Sequence, residues 1–582
     1  MLKKIACAVL ALSLVFTGCS GTSSSEGGLT DGTYTGTGRG RNGDITVEVV
    51  VAKGAVSEIA VTDHTETADI ADPALEKIPA EIIEAQSLAV DNVSGATLTS
   101  NGIIEAVKAC LVDAGADIDA WTKSDDKQVE KTAKSADADL VVVGAGISGM
   151  STALSAKENG VDNIVIIEKQ AAAGGTTALA GGIFIYVDDD TYDEFYDYWQ
   201  ERMSVSGVEN KYFNKDRFAY IAPKTAETVE WLKGKNVAFN DETTYGSFGN
   251  YIMAWATNGG RGLVQDLVKA CEDAGITIIT DCKGTELVTT EGKVTGVVAE
   301  TADEIITYTS KAVVLASGGS GANEEMTAEK SPKVAAAGTI NTGCAGNTGD
   351  GVVMAEAVGG VAYDEFFTSI AAQTIDPKVE NGDKLDFASA LIVNGKGERF
   401  VKEDASDITK EYDALGSAMI QNGNAPYYVV FDSSNKDRVA ILEAGLESGA
   451  VVKADTIEEL RNSVGIDAAT LQATYDAYEE AVAAGEDKEF GKAADKLVAL
   501  ETAPYYAVQI FPTTFGSQGG VKTDFDGRVL DKDGNAIAGL YAVGEMSNRE
   551  YYNENYVLAA SLGLYSTAGR LCGVALAQDI AE

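Results

Sequence analysis

The sequence predicts an α/β protein of several domains, in which a small α+β domain precedes a larger domain with a buried parallel sheet. Continuous apolar runs at 140–143 and 164–167 are typical of strands that are covered on both faces of a parallel sheet. A glycine-rich turn and an alanine- and serine-rich segment lie between these runs, as expected for a strand–helix–strand unit. Residues 33–62 instead alternate apolar and polar side chains, which predicts a half-buried sheet. The 582 residues leave room for several hydrophobic cores.

The chain begins with the pattern of an export signal. Two lysines are followed by an apolar run, residues 5–15, which is too short to span a bilayer as a helix. The segment 16–19, Phe-Thr-Gly-Cys, resembles a bacterial lipobox, in which small residues precede a cysteine that becomes lipidated. This resemblance predicts a lipoprotein signal peptide over residues 1–18 and lipid attachment at Cys19. The alternative is a plain secretion signal.

Residues 19–30 are rich in serine and glycine and predict a flexible tether behind such an anchor. No other stretch of the sequence is apolar enough to predict a membrane span. We therefore expect an extracytoplasmic protein, lipid-anchored to the outer face of the bacterial cell membrane. Its contact with the membrane is expected through the lipid anchor only.

The small α+β domain is predicted over residues 31–116. Strands are expected on both sides of Gly43 and before and after Gly54, since glycine at these positions favours turns. Residues 103–111 then have the apolar spacing of an amphipathic helix.

A short motif precedes that helix. The segment 91–97, Asp-Asn-Val-Ser-Gly-Ala-Thr, resembles the Asp-x-x-Ser/Thr-Gly-Ala-Thr signature of FMN-binding domains. The resemblance implies that a flavin transferase esterifies the phosphate of FMN onto Thr97, so that FMN is covalently bound. A helix start suits a phosphate because its free amides and its dipole favour negative charge. The alternative is an ordinary loop that leads into a helix, since these are common turn residues.

Residues 117–136 are polar and predict a linker to the larger domain. Gly144, Gly146 and Gly149 follow the first apolar run with the spacing Gly-x-Gly-x-x-Gly, and Glu168 ends the second run. Glycines of this spacing allow a tight turn and a close approach to a pyrophosphate, and the acid accepts ribose hydroxyls. The pattern therefore predicts a dinucleotide site in a Rossmann-like domain.

Further segments resemble the flavoprotein superfamily of fumarate reductase and succinate dehydrogenase, and they occur here in the same order. These segments are 174–182, 312–319, 347–351 and 539–545. The resemblance implies non-covalently bound FAD, an FAD-binding domain in two segments, 137–363 and 500–582, and an inserted α+β capping domain, 364–499. The predicted FAD-binding residues are Gly144, Ala145, Gly146, Gly149, Glu168, Gly175, Thr176, Thr177, Gly181, Gly182, Asp350, Glu545, Ser561 and Leu562.

The composition argues against several kinds of partner. A formal net charge of -44 argues against nucleic acid. None of the seven cysteines has the spacing Cys-x-x-Cys, which argues against c-type haem and against a zinc or iron–sulfur site. No metal is expected, and electrons are expected to pass through flavins alone.

An FMN-binding domain followed by this flavoprotein unit, without haem motifs, resembles urocanate reductase and its extracytoplasmic relatives. That group reduces activated C=C bonds in anaerobic respiration. The resemblance implies that a membrane electron-transfer donor reduces FMN on Thr97 and that FAD receives these electrons. Flavin N5 would then give hydride to the β-carbon of a small unsaturated acceptor, while a side-chain acid protonates the α-carbon. The start of the last helix, near Ser561, would stabilise the reduced FAD.

The expected substrate site departs from the fumarate reductases. A gapless count back from the last helix puts Tyr552 in place of the family's histidine and Tyr556 in place of its carboxylate-binding arginine. A second family histidine falls at Gly516, and two arginines of the cap fall at Asp407 and near Asp386. Because a bidentate grip on a carboxylate needs the arginine fork, these changes argue against fumarate as the substrate.

Tyrosines are therefore the main candidates for the site. Tyr556 and Tyr552 are predicted to line a pocket for a flat acceptor, with Tyr556 as the candidate proton donor. Packing is the alternative, because a free tyrosine has a pKa of about 10. Arg549 is predicted as a displaced carboxylate contact. Arg399 is a weaker catalytic candidate, since a structural turn arginine fits the same motif, and His64, the only histidine, is interpreted as a surface residue.

Two other functions remain open at this point. One is an enone- or ketosteroid-type FAD reductase or dehydrogenase, which shares the FAD scaffold and uses tyrosines. The other is a non-catalytic flavin relay that passes electrons between proteins.

Overall fold

A computed structural model describes the protein over most of its length. The described residues are 29–41, 43–66, 71–90, 92–93, 96–122, 131–204, 211–241, 243–245, 252–374, 376, 379, 385–406, 414–466, 468–552 and 556–581. The predicted signal peptide, Cys19, most of the tether and Asp407 lie outside them. Within these ranges, no helix is both long enough and apolar enough to cross a bilayer.

The N-terminal domain is a three-stranded antiparallel sheet covered by helices. Its strands are Gly32–Arg39, Asp44–Ala52 and Ala55–Asp63, and its helices are Asp72–Ala85, Thr97–Asp113 and Ile118–Trp121. Ile45, Val47 and Val49 alternate along the middle strand and are fully buried. The helix that begins at Thr97 lies directly on the first strand, since a Cβ on Gly38 would meet the carbonyl oxygen of Gly102 at 2.1 Å. This close approach fixes the start of the helix relative to the sheet.

The second domain is built on a six-stranded sheet. In spatial order its strands are Thr277–Ile279, Ile164–Ile167, Leu140–Val143, Ala312–Leu315, Ala536–Ala542 and Arg528–Leu530. The first five are parallel and the last is antiparallel. The helices Ile147–Glu158 and Ser561–Ala581 pack closely together, because a Cβ on Gly569 would meet the carbonyl oxygen of Ser148 at 2.4 Å. Gly569 of the C-terminal helix thereby lies beside the first turn of Ile147–Glu158, which follows the glycine turn of the dinucleotide motif.

Two smaller sheets and several helices complete this domain. One sheet contains Lys283–Thr290, Lys293–Glu300, Glu304–Thr309 and Thr132–Asp137, and the other contains Ile183–Ile185, Ile252–Trp255 and Thr244–Tyr245. The helices are Thr176–Leu179, Tyr192–Ser204, Lys215–Ile221, Thr225–Lys233, Gly259–Asp273, Glu324–Lys330, Pro332–Ala336 and Asp350–Ala357. Short 3₁₀ turns are formed by Ala222–Lys224, Gly544–Ser547 and Arg549–Tyr551.

Both ends of the predicted linker contain secondary structure. Ile118–Trp121 forms a short helix whose Ile118 and Trp121 pack on the N-terminal core. Thr132–Asp137 forms an exposed strand that pairs in parallel with Glu304–Thr309. Main-chain pairing at a sheet edge needs no apolar side chains, so the polar composition did not reveal this strand.

The described residues of the cap form a mixed sheet and four helices. The strands are Ile340–Asn341, Phe367–Gln373, Leu391–Val393, Tyr427–Phe431, Val451–Ala454 and Tyr505–Gln518, and the helices are Ala414–Asn422, Lys436–Ala444, Ile457–Val464 and Ala468–Ala484. Phe387–Ser389, Glu403–Ser406 and Ala494–Lys496 are 3₁₀ turns. The long strand Tyr505–Gln518 pairs with Tyr427–Phe431 in its first half and with Phe367–Gln373 in its second half. It therefore connects the cap sheet to the edge of the FAD-binding domain, which confirms the predicted α/β class with an inserted α+β cap.

Candidate active site

A cavity of about 570 Å³ opens at the carboxyl ends of the parallel strands and extends beneath the cap. Ligands of doubly wound α/β folds bind in this position. We call the part around Gly144 and Glu168 the cofactor end, and the part around Ser369, Gln518 and Tyr556 the acceptor end.

The turn at the cofactor end is formed almost entirely by main chain. Gly144 has φ +112°, and a Cβ there would meet the carbonyl oxygen of Ala316 at 2.3 Å. Gly149 packs on the same turn, since its Cβ would meet the carbonyl oxygen of Gly144 at 2.2 Å. Only glycine fits such close contacts, and they leave room for a pyrophosphate over the start of the helix Ile147–Glu158.

Glu168 lies at the end of the second strand, as the motif predicts. Its carboxylate accepts hydrogen bonds from the backbone N–H groups of Ala145 and Gln170, both at 2.9 Å. The side chain is buried, and this burial raises the pKa of Glu168 above its usual value. The two N–H donors hold the carboxyl group in place to accept ribose hydroxyls, so the residues present fit an FAD adenosine.

The glycine-rich segment 174–182 forms another part of the cavity wall. The hydroxyl of Thr177 accepts a hydrogen bond from the N–H of Ile147 at 3.0 Å, and the hydroxyl of Thr176 accepts one from Asn347 Nδ2 at 2.9 Å. Most predicted FAD-binding residues line the cavity, namely Gly144, Gly146, Glu168, Gly175, Thr176, Thr177, Gly181, Asp350, Glu545, Ser561 and Leu562. Ala145, Gly149 and Gly182 lie directly behind this lining.

Asp350 is the centre of an ion-pair group at the cofactor end. Lys169 Nζ lies 2.6 Å from one carboxylate oxygen of Asp350, and Lys283 Nζ lies 3.1 Å from the other. Burial opposes ionisation, but hydrogen bonds and charge from the two lysines hold the pKa of Asp350 below its usual value. Both lysines therefore form ion pairs with Asp350.

Glu545 lies between the two ends of the cavity. It is partly buried, and its carboxyl group accepts a hydrogen bond from Asn347 Nδ2 at 3.2 Å. Burial raises the pKa of Glu545 to about 7, although backbone N–H groups of Ser517 and Gly319 oppose this rise. Glu545 can therefore change its protonation state near neutral pH while it faces the cavity.

The acceptor end is formed by side chains from distant parts of the chain. Tyr556 and Phe515 meet edge to face with 5.5 Å between ring centroids, and the hydroxyl groups of Tyr556 and Ser561 lie 2.7 Å apart. Gln518 Nε2 donates to the hydroxyl of Ser369 at 2.6 Å, whereas Gln518 Oε1 is buried without a hydrogen-bond partner among the described residues. Arg41, Lys169 and Lys283 are the cationic residues among the described lining, and Lys169 and Lys283 lie at the cofactor end.

Of the four predicted catalytic residues, only Tyr556 lines the cavity. Tyr552 is buried behind it, with 5.8 Å between the two ring centroids, and burial raises the pKa of Tyr552 well above its usual value. Tyr552 is thus placed to support the position of the Tyr556 ring.

The two predicted arginines lie in separate buried clusters. Arg549 is 2% exposed and donates to the carbonyl oxygens of Glu365 at 3.1 Å and Tyr552 at 3.2 Å. Arg399 lies inside the cap, where its guanidinium contacts Glu403 and Asp487, each with a closest distance of 2.7 Å. Neither arginine lines the cavity.

Sequence reasoning missed Ser369, Gln373, Phe515 and Gln518. Phe515 and Gln518 flank Gly516, which the sequence had singled out as the position of a missing histidine, so the segment gave a usable signal. Ser369 and Gln373 lie on the strand Phe367–Gln373 and have no motif around them.

The N-terminal domain docks beside the cofactor end. Lys77 Nζ lies 2.6 Å from Asp281 Oδ2, Ala171 packs against the N-terminal core, and Arg41 lines the cavity itself. Thr97 is the first residue of its helix, and His64 is exposed. Asp91, Ser94, Gly95 and the Thr97 side chain lie outside the described part of the structure.

Comparison with known proteins agrees with the two flavin sites. Residues 139–562 match the family model described as FAD binding domain, and residues 40–112 match the FMN-binding domain model. The chain is 29% identical over 618 residues to NADH:acrylate oxidoreductase of Vibrio harveyi, covering 93% of this chain and 61% of that protein. It is 29% identical over 601 residues to urocanate reductase of Eggerthella lenta, covering 98% of this chain and 97% of that protein.

Solved structures show the same fold. An open conformation of a flavocytochrome c3 fumarate reductase is similar with a TM-score of 0.60 and 24% identity, over 77% of this chain and 79% of that chain. A 3-ketosteroid-Δ4-(5α)-dehydrogenase of Rhodococcus jostii is similar with a TM-score of 0.58 and 23% identity, over 78% of this chain and 99% of that chain. These likenesses concern the fold and leave the acceptor open.

Proposed function

We propose that this chain, which belongs to the FAD binding domain family, reduces the activated C=C bond of a small urocanate- or acrylate-type acid with electrons that pass from FMN to FAD. The chain is a flavin oxidoreductase of the fumarate, urocanate and acrylate reductase type, with an FMN-binding domain. The proposal concerns the acceptor, the order of the flavins and the cellular location.

One observation carries this proposal. The glycine turn at Gly144, the tyrosine at position 556 and Arg41 of the N-terminal domain line one continuous cavity. A cofactor site, a candidate proton donor and the FMN-binding domain are therefore adjacent, as electron transfer followed by reduction requires.

When bound, FAD supplies the two-electron chemistry that reduction of a C=C bond needs. The chain supplies the surroundings of the acceptor. Tyr556 and Phe515 present aromatic rings to a flat conjugated molecule, and the hydroxyl of Tyr556 is oriented by its hydrogen bond with Ser561. From this position Tyr556 can donate the proton that the α-carbon requires.

The acceptor end favours an acid that is bound by neutral groups. Among the described residues, the polar groups there are hydroxyls and amides, including Ser369 and Gln518. The unpartnered Gln518 Oε1 suits a donor on the ligand, such as an N–H of a heteroaromatic ring, because a buried acceptor without a partner is costly. These features favour a flat monocarboxylic acid whose ring carries an N–H hydrogen-bond donor over a dicarboxylate.

An enone acceptor is the second candidate. It is favoured because the residues that define the acceptor end, Ser369, Gln518 and Tyr556, are all uncharged. A neutral carbonyl group needs only a hydrogen-bond donor there, which Tyr556 can supply.

The remaining parts of the proposal concern attachment and location. FMN is joined through a phosphoester to Thr97 by a flavin transferase, because Thr97 begins a helix and ends the Asp-x-x-Ser-Gly-Ala-Thr motif. The mature protein is anchored through lipid on Cys19 at the outer face of the membrane and receives electrons from a membrane donor.

Anaerobic reoxidation tests the function directly. Protein with both flavins is reduced with an artificial donor and mixed with urocanate, cinnamates, itaconate, fumarate or neutral enones. The proposal predicts rapid return of oxidised-flavin absorbance with one flat unsaturated acid and formation of its saturated product. Reoxidation by enones alone would favour the second candidate, and reoxidation by a partner protein alone would favour a relay.

Replacement of Thr97 tests the attachment. Thr97→Val should remove all flavin fluorescence from the denatured chain on a gel, because valine has no hydroxyl for the phosphoester, while FAD remains extractable. Thr37→Val, at an exposed position of the first strand, is the matched control and should keep the covalent flavin. Covalent flavin in Thr97→Val would show that another residue is the acceptor.

A further inference from the structure

Arg41 belongs to the N-terminal domain but lines the cavity of the FAD-binding domain. It lies in the turn between the strands Gly32–Arg39 and Asp44–Ala52, and its side chain is exposed. No described residue pairs with its guanidinium group. A cation without a partner among the described residues needs an explanation in a chain with a net charge of -44.

The turn that holds Arg41 is fixed to the helix that begins at Thr97. A Cβ on Gly40 would meet Glu66 Oε1 at 2.6 Å, and Glu66 accepts a hydrogen bond from the hydroxyl of Thr99 in the first turn of that helix. Gly40 also donates its N–H to the carbonyl oxygen of Gly43 at 2.9 Å, which closes the turn. The turn that holds Arg41 is therefore connected through Glu66 to the first turn of the helix that begins at Thr97.

The N-terminal domain contacts the FAD-binding domain beside the cofactor end. The docking contact of the N-terminal domain is made by Lys77 with Asp281, whose N–H donates to the carbonyl oxygen of Gln170 at 3.0 Å. Gln170 lines the cavity beside Glu168 and hydrogen bonds to Cys344 at 3.4 Å. The domain interface thus continues directly into the wall of the cavity.

The charges at the cofactor end leave a role for Arg41. Lys169 and Lys283 also line the cavity, but both contact Asp350. A bound pyrophosphate carries two negative charges. The glycine turn can donate N–H hydrogen bonds to it but supplies no full positive charge. An arginine fork matches phosphate oxygens with two parallel hydrogen bonds.

We propose that Arg41 is a phosphate ligand which the N-terminal domain contributes to the flavin cavity, so that flavin binding and docking of the two domains are coupled. The phosphate is the pyrophosphate of FAD or the phosphoester of FMN on Thr97, which present the same anionic oxygens. Because coupling is reciprocal, docking raises the affinity for the flavin and the flavin stabilises docking. The inference deepens the proposed function and rests on its two flavins, but not on the identity of the acceptor.

The test is the affinity of the FAD-depleted, full-length protein for FAD. Arg41→Ala should raise the Kd for FAD by about five- to tenfold, as expected for loss of one charge-assisted hydrogen bond at an exposed site. Arg41→Lys should restore part of this loss, since lysine keeps the charge without the fork. Arg39→Ala is the matched control, because Arg39 flanks the same turn and pairs with Asp44 at 3.2 Å, and its Kd should stay within about twofold.

Phosphorus NMR separates the two phosphates. If Arg41 binds FAD, Arg41→Ala shifts the pyrophosphate signals, and the loss of affinity persists in Thr97→Val. If Arg41 binds FMN, only the phosphoester signal shifts and the Kd for FAD is unchanged. Unchanged Kd together with unchanged phosphorus signals would overturn the inference.

These readouts are independent of turnover. If no unsaturated acid reoxidises the protein but Arg41→Ala still weakens FAD binding, the proposed acceptor is wrong and the inference stands. If an acid reoxidises the protein and Arg41→Ala changes neither readout, the inference alone fails.

Discussion

At the cofactor end of the cavity the ligand-facing groups are mainly main-chain groups of short contiguous segments, whereas at the acceptor end they are side chains from distant parts of the chain. Gly144 and Gly146 exemplify the first kind, and Ser369, Phe515 and Tyr556 the second. A phosphate or ribose is recognised by N–H groups whose position depends on local backbone shape. An acceptor is recognised by side chains, which can be exchanged without changing the backbone. The cofactor end is therefore the fixed part of this fold, and the acceptor end is the part in which chemistry varies.

The largest expected effect comes from a side chain in the glycine turn. Gly144→Val would place a branched Cβ at φ +112° and within 2.3 Å of the carbonyl oxygen of Ala316. The turn cannot keep its shape, and the affinity for FAD should fall by about 100-fold or more. Purified protein should lack the FAD absorbance while it keeps FMN.

Gly160→Ala is the control for this change. Gly160 also has a positive φ, +96°, but nothing lies within 4 Å of its added Cβ. Its FAD content should equal that of the wild type. Equal FAD loss in the two variants would contradict the idea that close approach, rather than general strain, defines the cofactor end.

A second prediction separates the cap core from the acceptor end. Arg399→Ala leaves Glu403 and Asp487 buried without their main cation, since all three side chains are at most 5% exposed. Loss of one partner from a buried ion pair costs about 3–5 kcal/mol of stability. Thermal unfolding should show this loss in the cap, while KM for the acceptor stays unchanged below the melting transition.

Lys453→Ala provides a surface comparison within the same domain. Lys453 pairs with Glu443 at 2.6 Å, and both side chains are about 40% exposed, so this change should lower the unfolding temperature far less than Arg399→Ala does. If Arg399→Ala raised KM for the acceptor without lowering the stability, Arg399 would instead act in the acceptor site.

A third prediction concerns Glu545, which lies where the two ends meet. Its pKa is raised by burial from 4.5 to about 7 in the folded protein. Between these values the unfolded chain loses its proton while the folded chain keeps it, so stability falls as pH rises and the loss is complete above about pH 7. Glu545→Gln lacks this loss.

The FAD-free wild type and Glu545→Gln should therefore be compared at pH 5 and pH 8 by thermal unfolding. The variant should gain up to about 3 kcal/mol relative to the wild type between these values, since one pKa unit corresponds to about 1.4 kcal/mol. A difference that does not change with pH would show that Glu545 ionises as an ordinary carboxyl group.

The same contrast explains how far sequence reasoning reached. Gly144 and Glu168 could be predicted because spacing within one strand–turn–helix–strand unit determines their geometry, whereas the segment 174–182 was predicted from its resemblance to the flavoprotein superfamily. Tyr556 was predicted by counting back from the last helix, yet Ser369 and Gln373 were not, since only tertiary pairing with Tyr505–Gln518 brings them to the cavity. Arg549 and Arg399 had suitable chemistry, but burial among their own partners cannot be read from a one-dimensional pattern.

The most direct measurement is the rate at which the acceptor reoxidises reduced Tyr556→Phe, compared with Tyr552→Phe. Both changes remove one hydroxyl from neighbouring rings, but only Tyr556 lines the cavity and bonds to Ser561. The account predicts that Tyr556→Phe slows reoxidation by about 100-fold, with FAD affinity unchanged, as expected for loss of a general acid. Tyr552→Phe should change the rate by less than about fivefold, because packing of its ring is retained. Equal rates for wild type and Tyr556→Phe would contradict the account, since the acceptor end would then obtain its proton from another group.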